Sequence, residues 1–167
     1  MKKFIICAIC AICSFTAAQA QAKFGHVNMQ EIMQLMPEYT AAQNKLQTLA
    51  GQYEADLKSM RDEIQKKGEA FEKEQATLPE NIKQRRQTEL NEMMQKYQQS
   101  LQDNQQALQK AEQDEMSVVQ EKLLNAIKTV GQEGGYVYIM QTNSLPYIST
   151  TLSTDVTAQV KTKLGLK

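Results

Sequence analysis

The feature that most constrains this chain is a long stretch with almost no residue that interrupts a helix. Between Pro37 and Gly131 the chain has one further proline, Pro79, and two glycines, Gly51 and Gly68. It is dominated by Glu, Gln, Lys, Leu, Ala and Met, which are good helix formers. Because proline disfavours helix at the residue before it, the short polar segment 77–81 predicts a break between two long helices.

Apolar residues recur three or four positions apart on both sides of this break, which places them on one face of each helix. The stripes comprise Tyr39, Ala42, Leu46, Leu49, Tyr53, Leu57, Met60, Ile64, Phe71 and Leu78 before the break, and Ile82, Leu90, Met94, Tyr97, Leu101, Leu108 and Ala111 after it, followed one residue out of step by Met116, Val119, Leu123, Ile127 and Val130. Two helices around a short break predict an antiparallel hairpin with arms about 60 Å long. The stripe is interrupted at Gly68 and at the polar run 102–106, so we expect the arms to be pliable.

The segments that flank the hairpin predict a small β-containing part. Residues 23–28 are a candidate strand, and 136–140, with their β-branched and aromatic side chains, are a clear one. A hairpin returns the chain to its origin, so these two strands can pair at its base. A third short strand is expected at 147–150, and Gly131, Gly134 and Gly135 are expected to end the second long helix.

The last expected element is an amphipathic helix over 153–164, capped by Ser153 or Thr154, with an apolar stripe at Val156, Val160 and Leu164. Two or three short strands in one chain are too few for independent stability. The predicted fold is therefore mainly α with a small β part, in which the strands of several copies complete a shared sheet or barrel. In this division residues 23–36 and 132–167 form the body, and 37–131 form the arm, with its tip near 77–81.

The N-terminal residues have the layout of a secretory signal peptide: Lys2 and Lys3, an apolar run, and then a small-x-small site. We expect cleavage after Ala20, with Ala22 as the alternative, and a single domain over 21–167 in an exported protein. The three cysteines, Cys7, Cys10 and Cys13, all lie in the signal segment. Each follows isoleucine where a lipidation site requires a small residue, so we expect neither a lipid anchor nor a disulfide.

The residues offer little for catalysis. His26 is the one histidine, no metal-site spacing is present, and no cofactor is expected. Loss of the signal peptide leaves a net charge of −2, which gives no argument for nucleic acid. Lys83, Arg85 and Arg86 form a basic group near the tip that could bind phosphate, and the alternative is an ordinary solvated helix face.

The order of elements resembles that of the Skp/OmpH family of periplasmic chaperones. The resemblance is carried by residues 24–28 (FGHVN), 35–38 (LMPE), 136–139 (YVYI) and 155–157 (DVT), together with the whole layout. It implies a homotrimer with a small β-barrel body and three helical arms around a cavity. Members of the family hold unfolded outer-membrane β-barrel proteins there without ATP. Its best-known members are strongly basic, and this chain is not.

On this resemblance we expect a non-enzymatic holdase in the periplasm, with unfolded outer-membrane proteins and its own copies as partners. The expected diffuse client contacts are Met60, Ile64, Phe71, Met93, Met94 and Tyr97, and the expected trimer body includes Val27, Tyr136, Val137, Tyr138 and Ile139. The family's lipopolysaccharide or membrane contact would fall to Lys83, Arg85 and Arg86. The alternative function is a structural coiled-coil spacer or assembly scaffold, for which the interrupted stripe is poorly suited.

Overall fold

The computed structural model describes residues 22–166, so the expected signal peptide lies outside the described residues. The strands are β1 (Lys23–Val27), β2 (Tyr136–Gln141) and β3 (Ser153–Asp155). The helices are α1 (Met29–Leu35), α2 (Pro37–Glu74), α3 (Glu80–Gly134) and α4 (Thr157–Lys163), with one 3-10 turn at Thr142–Ser144. The chain is thus mainly helical with a small three-stranded sheet, as its sequence predicts.

The two long helices begin and end near the residues that the sequence signals indicate, although α2 ends at Glu74, so the break starts at residue 75 and not at 77. Pro37 opens α2, where its missing N–H is not needed. The break before α3 lies at residues 75–79, and the carbonyl of Pro79 accepts the first backbone bonds of α3 from Ile82 and Lys83. Gly135 follows α3 with φ +65°, the left-handed conformation that ends helices and that glycine adopts without strain.

Residues 22–29 and Ala126–Gly165 form one compact unit, which we call the body. Its sheet has the order β2-β1-β3, and β1 runs parallel to both neighbours. The buried side chains of this unit are Val27, Ala126, Val130, Val156, Thr157 and Val160. Strands from the two ends of the chain therefore pair, as expected for a hairpin that returns to its origin.

The third strand and the last helix differ from the expectation. Residues 147–150 form no strand; Ser153–Asp155 pairs with β1 instead, so α4 starts at Thr157 and neither Ser153 nor Thr154 caps it. The start of α4 is held by Asp155, whose Oδ1 accepts the backbone N–H of Thr157 at 2.8 Å. Thr157 Oγ1 in turn accepts the backbone N–H of Asn28 at 3.0 Å. These bonds join the end of β1 to the start of α4.

The titration of Asp155 gives a testable consequence of this junction. Burial raises the pKa of Asp155, but hydrogen bonds from Thr157 and the nearby charges of His26 and Lys161 outweigh it and hold the pKa below its usual value. A lowered pKa stabilises the fold above the unfolded-state pKa of about 4, and this contribution is lost as the pH falls through the folded value.

Asp155→Ala is therefore expected to destabilise the body by about 1 kcal/mol at neutral pH, as for the loss of one intramolecular hydrogen bond. The difference from wild type should shrink below about pH 4. Urea unfolding at a series of pH values measures both effects, with the exposed Asp56→Ala as the control. A difference that stays constant with pH would contradict the proposed role of the carboxylate.

Residues Gln30–Asn125 form the second compact unit, which contains α2 and most of α1 and α3. Its fully buried apolar side chains are Ile32, Met36, Ala42, Val119 and Leu123. They lie in α1, at or near the start of α2, and in the part of α3 that follows residue 118. The remainder of the hairpin has no comparable core.

Candidate functional site

Ion pairs between α2 and α3 fix the register of the hairpin. Lys45 pairs with Glu115, Lys67 with Glu89, and Arg86 Nη1 lies 2.7 Å from Glu74 Oε2. Partners further along α2 lie earlier in α3, so the two helices are antiparallel, as predicted. The pairs are largely exposed, and such pairs contribute little stability. They indicate how the two helices are aligned, but they add little to the stability of the hairpin.

In two ion pairs between α2 and α3, Lys122 with Glu38 and Lys67 with Glu89, the lysine lowers the pKa of the carboxylate. A hydrogen bond from Lys122 lowers the pKa of Glu38 near the start of α2. A hydrogen bond from Lys67 lowers the pKa of Glu89, and the same bond raises the pKa of Lys67. Glu38, Glu89 and Lys67 therefore stay charged near neutral pH.

The seam between α2 and α3 is the candidate functional surface. Between residues 43 and 118 no side chain is fully buried. The apolar residues of the seam are half-buried instead, among them Leu46, Tyr53, Leu57, Ile64 and Leu108. Two helices alone cannot enclose their apolar stripes, so a large apolar surface stays accessible along the hairpin.

The seam of α3 does not follow all the apolar residues of the predicted stripe. Met94 and Leu101 were expected on it, but their side chains are 48% and 42% exposed. The half-buried positions in this stretch are Met93, Tyr97, Ser100 and Asn104, which include two polar residues besides the tyrosine. The stripe was wrong here because α3 must present a continuous face to α2, and that face passes through polar positions.

The six candidate contact residues fall into two groups. Met60, Ile64, Phe71, Met93 and Tyr97 are half-buried in the seam, and Met94 faces outwards. Met60, Ile64 and Met93 line one shallow groove of about 230 Å³, and Phe71 lies in another of about 200 Å³ nearer the tip. The hairpin thus brings five of the six to one seam, each partly accessible.

The basic group near the tip is surrounded by carboxylates. Arg86 pairs with Glu74, and Lys83 Nζ lies 3.8 Å from Glu80 Oε2. The charges of Arg85 and Arg86 also help to lower the pKa of Glu89, after the larger effect of Lys67. A phosphate bound at this group would have to compete with these carboxylates. In the sequence, only Glu80 and Glu89 could be recognised as carboxylates that flank the group.

The residues expected in the trimer body occupy different environments. Val27 is buried within the chain, Tyr136 and Ile139 are half-buried, and Val137 and Tyr138 are 64% and 50% exposed. The ring of Tyr138 stacks on Phe24 with centroids 4.8 Å apart. β2 and β3 are the outer strands of the described sheet, so each has an edge without a strand partner in residues 22–166.

His26 lies on the central strand, where its Nδ1 is 2.8 Å from Ser153 Oγ in a half-buried site. Its strand partner is Asp155, whose carboxylate is engaged by Thr157. In the described residues no three His, Cys, Asp or Glu side chains are grouped as metal ligands. The side chain of His26 therefore helps to join β1 to β3.

Residues 23–164 match the model of the family described as outer membrane protein (OmpH-like). The chaperone protein Skp of Yersinia enterocolitica is 23% identical over 164 residues, which cover 96% of this chain and all of that protein.

A solved structure has a similar fold. A protein from Caulobacter crescentus, described as an OmpH-like outer membrane chaperone, superposes with a TM-score of 0.75 at 18% identity, over 89% of this chain and 87% of the other. Among residues 22–166, no helix is both long and apolar enough to cross a membrane. The family model spans both flanking segments and the whole hairpin, and this chain therefore belongs to the OmpH-like outer membrane protein family.

Proposed function

We propose that this protein is an ATP-independent holdase chaperone of the periplasm that binds unfolded outer-membrane β-barrel proteins. It acts as a homotrimer whose three helical arms surround the client. Family membership supports a chaperone of outer-membrane proteins, and the Skp relative of Yersinia enterocolitica is named as a chaperone. The protein carries out no chemical step, and it needs no cofactor.

The observation that carries this proposal is the absence of any fully buried side chain between residues 43 and 118. Full burial of a leucine or phenylalanine contributes about 1.5–3 kcal/mol, so half-buried residues retain a large part of this free energy for contacts with a partner. Many weak contacts of this kind bind firmly in sum, and each breaks easily. Release of the client then requires no nucleotide.

Methionines add to the suitability of this surface. Met60, Met93 and Met94 lie in or beside the seam. Their unbranched, polarisable side chains adapt to surfaces of different shape. Together with Ile64, Phe71 and Tyr97 they are the contacts proposed for a client that has no fixed structure.

Self-association is supported by the body. Residues 134–154 contain no charged residue and include five exposed large apolar side chains: Val137, Tyr138, Met140, Tyr147 and Leu152. Charges are depleted in the same way at the centres of protein interfaces. We propose that the β2 region of three copies packs together and covers this surface.

The contact of Lys83, Arg85 and Arg86 with lipopolysaccharide or a membrane surface stays a prediction. Their carboxylate neighbours, Glu74, Glu80 and Glu89, leave little net positive charge at the tip. We therefore assign the main role in binding to the seam, and the tip contact is secondary in this proposal.

The experiment that tests the function uses the chain from residue 21 onwards. A urea-denatured outer-membrane β-barrel protein is diluted into buffer without nucleotide, and its aggregation is followed by light scattering. We expect suppression when the chaperone reaches three chains per client, and no suppression by an equal mass of an unrelated helical protein. A folded oligomer that leaves the aggregation of several barrels unchanged would favour the scaffold alternative.

A further inference from the structure

A groove of about 500 Å³ runs along one side of the hairpin near its middle. Its base is formed by the half-buried side chains of Tyr53, Leu57, Tyr97 and Leu108. These two tyrosines and two leucines make the base apolar, except at the two tyrosine hydroxyl groups. It is the largest of the grooves described along this seam.

The groove exists because of what α3 places opposite α2. Asn104 lines the groove at a seam position where a larger apolar residue would fill the space. The short polar side chain at this position leaves a gap between the tyrosines and leucines of the base.

The two rims of the groove differ in charge. The α2 rim carries Glu54, Lys58 and Arg61, which have both signs. The α3 rim carries Leu101 and Gln105, and Asp103 is the one charged residue between Tyr97 and Gln109. A ligand with a strong net charge of either sign gains no general attraction here. A segment with apolar and neutral polar side chains matches both the base and the rims.

The length of the groove fits a short extended segment. Its α2 side runs from Ala50 to Arg61, which at about 1.5 Å per residue is on the order of 16 Å. An extended chain rises about 3.3 Å per residue, so roughly five residues fit. In such a segment alternate side chains point the same way.

From these features we infer that the groove binds one extended segment of an unfolded membrane β-barrel. The strands of such barrels alternate apolar and polar side chains, so the apolar ones can rest on Tyr53 and Tyr97 while the polar ones face outwards. The amides of Asn104 and Gln105 offer both donors and acceptors, which suits the unpaired main chain of the segment. This inference rests on the proposed function and specifies where and how the client is held.

Two substitutions with opposite effects on the hairpin test the inference. Asn104→Leu fills the groove and strengthens the seam, whereas Tyr53→Ala removes part of the base and weakens the seam. Gln106→Leu adds the same side chain at an exposed position outside the groove and is the matched control. The probe is a fluorescent ten-residue synthetic peptide of alternating apolar and neutral polar residues, measured by anisotropy against each chain, with circular dichroism to verify helix content.

We expect both groove variants to bind the peptide about tenfold more weakly than wild type, as for the loss of a central contact. Gln106→Leu should bind like wild type, and a peptide of the same composition with its apolar residues in one block should bind more weakly. Binding of the alternating peptide by Asn104→Leu at wild-type strength would overturn the inference. Tighter binding by Tyr53→Ala would also overturn it, because pliability and not the groove would then control affinity.

The failure of this inference is distinct from that of the proposed function. If wild type and Asn104→Leu suppress the aggregation of a denatured barrel equally well, the groove is not the binding site, but the proposed chaperone function stands. If wild type has no effect on any barrel, the proposed chaperone function itself is wrong.

Discussion

Replacing Val137 with aspartate is expected to convert the proposed trimer into monomers while each chain stays folded. Val137 lies on the outer strand β2, and its side chain is 64% exposed in the single chain. Within the chain an aspartate there would face water. In the trimer three carboxylates would enter an uncharged apolar surface, and an unpaired buried charge costs about 3 kcal/mol or more.

The control for this variant is Val118→Asp. Val118 is also a valine, is 61% exposed, and lies on α3 in the hairpin unit. Sedimentation velocity should show monomers for Val137→Asp and trimers for Val118→Asp, with equal helix content by circular dichroism. A trimeric Val137→Asp protein would show that β2 is not the site of self-association.

Ile139 is less suitable for this experiment, although it was also expected in the trimer body. Its Cγ1 lies 3.1 Å from where a Cβ on Gly25 would be, and its Cδ1 lies 3.4 Å from the same point on Gly131. Ile139 therefore packs within its own chain. An aspartate there would unfold the body and would not report on assembly alone.

The second large effect is expected for Leu123→Ala, which should lower the free energy of unfolding by about 2–5 kcal/mol. Leu123 has no exposed surface, and it belongs to the small core of a unit in which no residue between 43 and 118 is fully buried.

The adjacent residue provides the control. Leu124 is 54% exposed, so Leu124→Ala removes the same atoms at a site where the change should stay within about 0.5 kcal/mol. Urea unfolding of both variants at one protein concentration measures the difference, since assembly makes stability depend on concentration. Equal losses for the two variants would contradict the assignment of the core.

Much of the fold could be predicted because its signals are local. Pro37, Pro79 and the glycines after residue 130 mark helix ends through backbone geometry, and residues 136–140 favour a strand by side-chain type. The pairing of β1 with β2 followed from the return of the hairpin. These features need no knowledge of which side chains meet.

The missed features depend on partners distant in sequence. Ser153–Asp155 has no strong strand preference and becomes β3 because β1 offers a free edge, while the more strand-like residues 147–150 find no partner. Asn104 lies in the seam because its position on α3 faces α2. The nearby apolar residue, Leu101, does not lie in the seam. The pairing of Lys67 with Glu89 likewise depends on the register of two helices and could not be predicted from either alone.

The central claim is that a trimer holds an unfolded client between its arms, and sedimentation velocity of a labelled client tests it most directly. The client is a denatured outer-membrane β-barrel protein diluted into the chaperone without nucleotide. The account predicts a single complex of one client with three chains, formed by wild type and lost in Val137→Asp. A client that sediments as aggregate beside an intact, unoccupied trimer would contradict it.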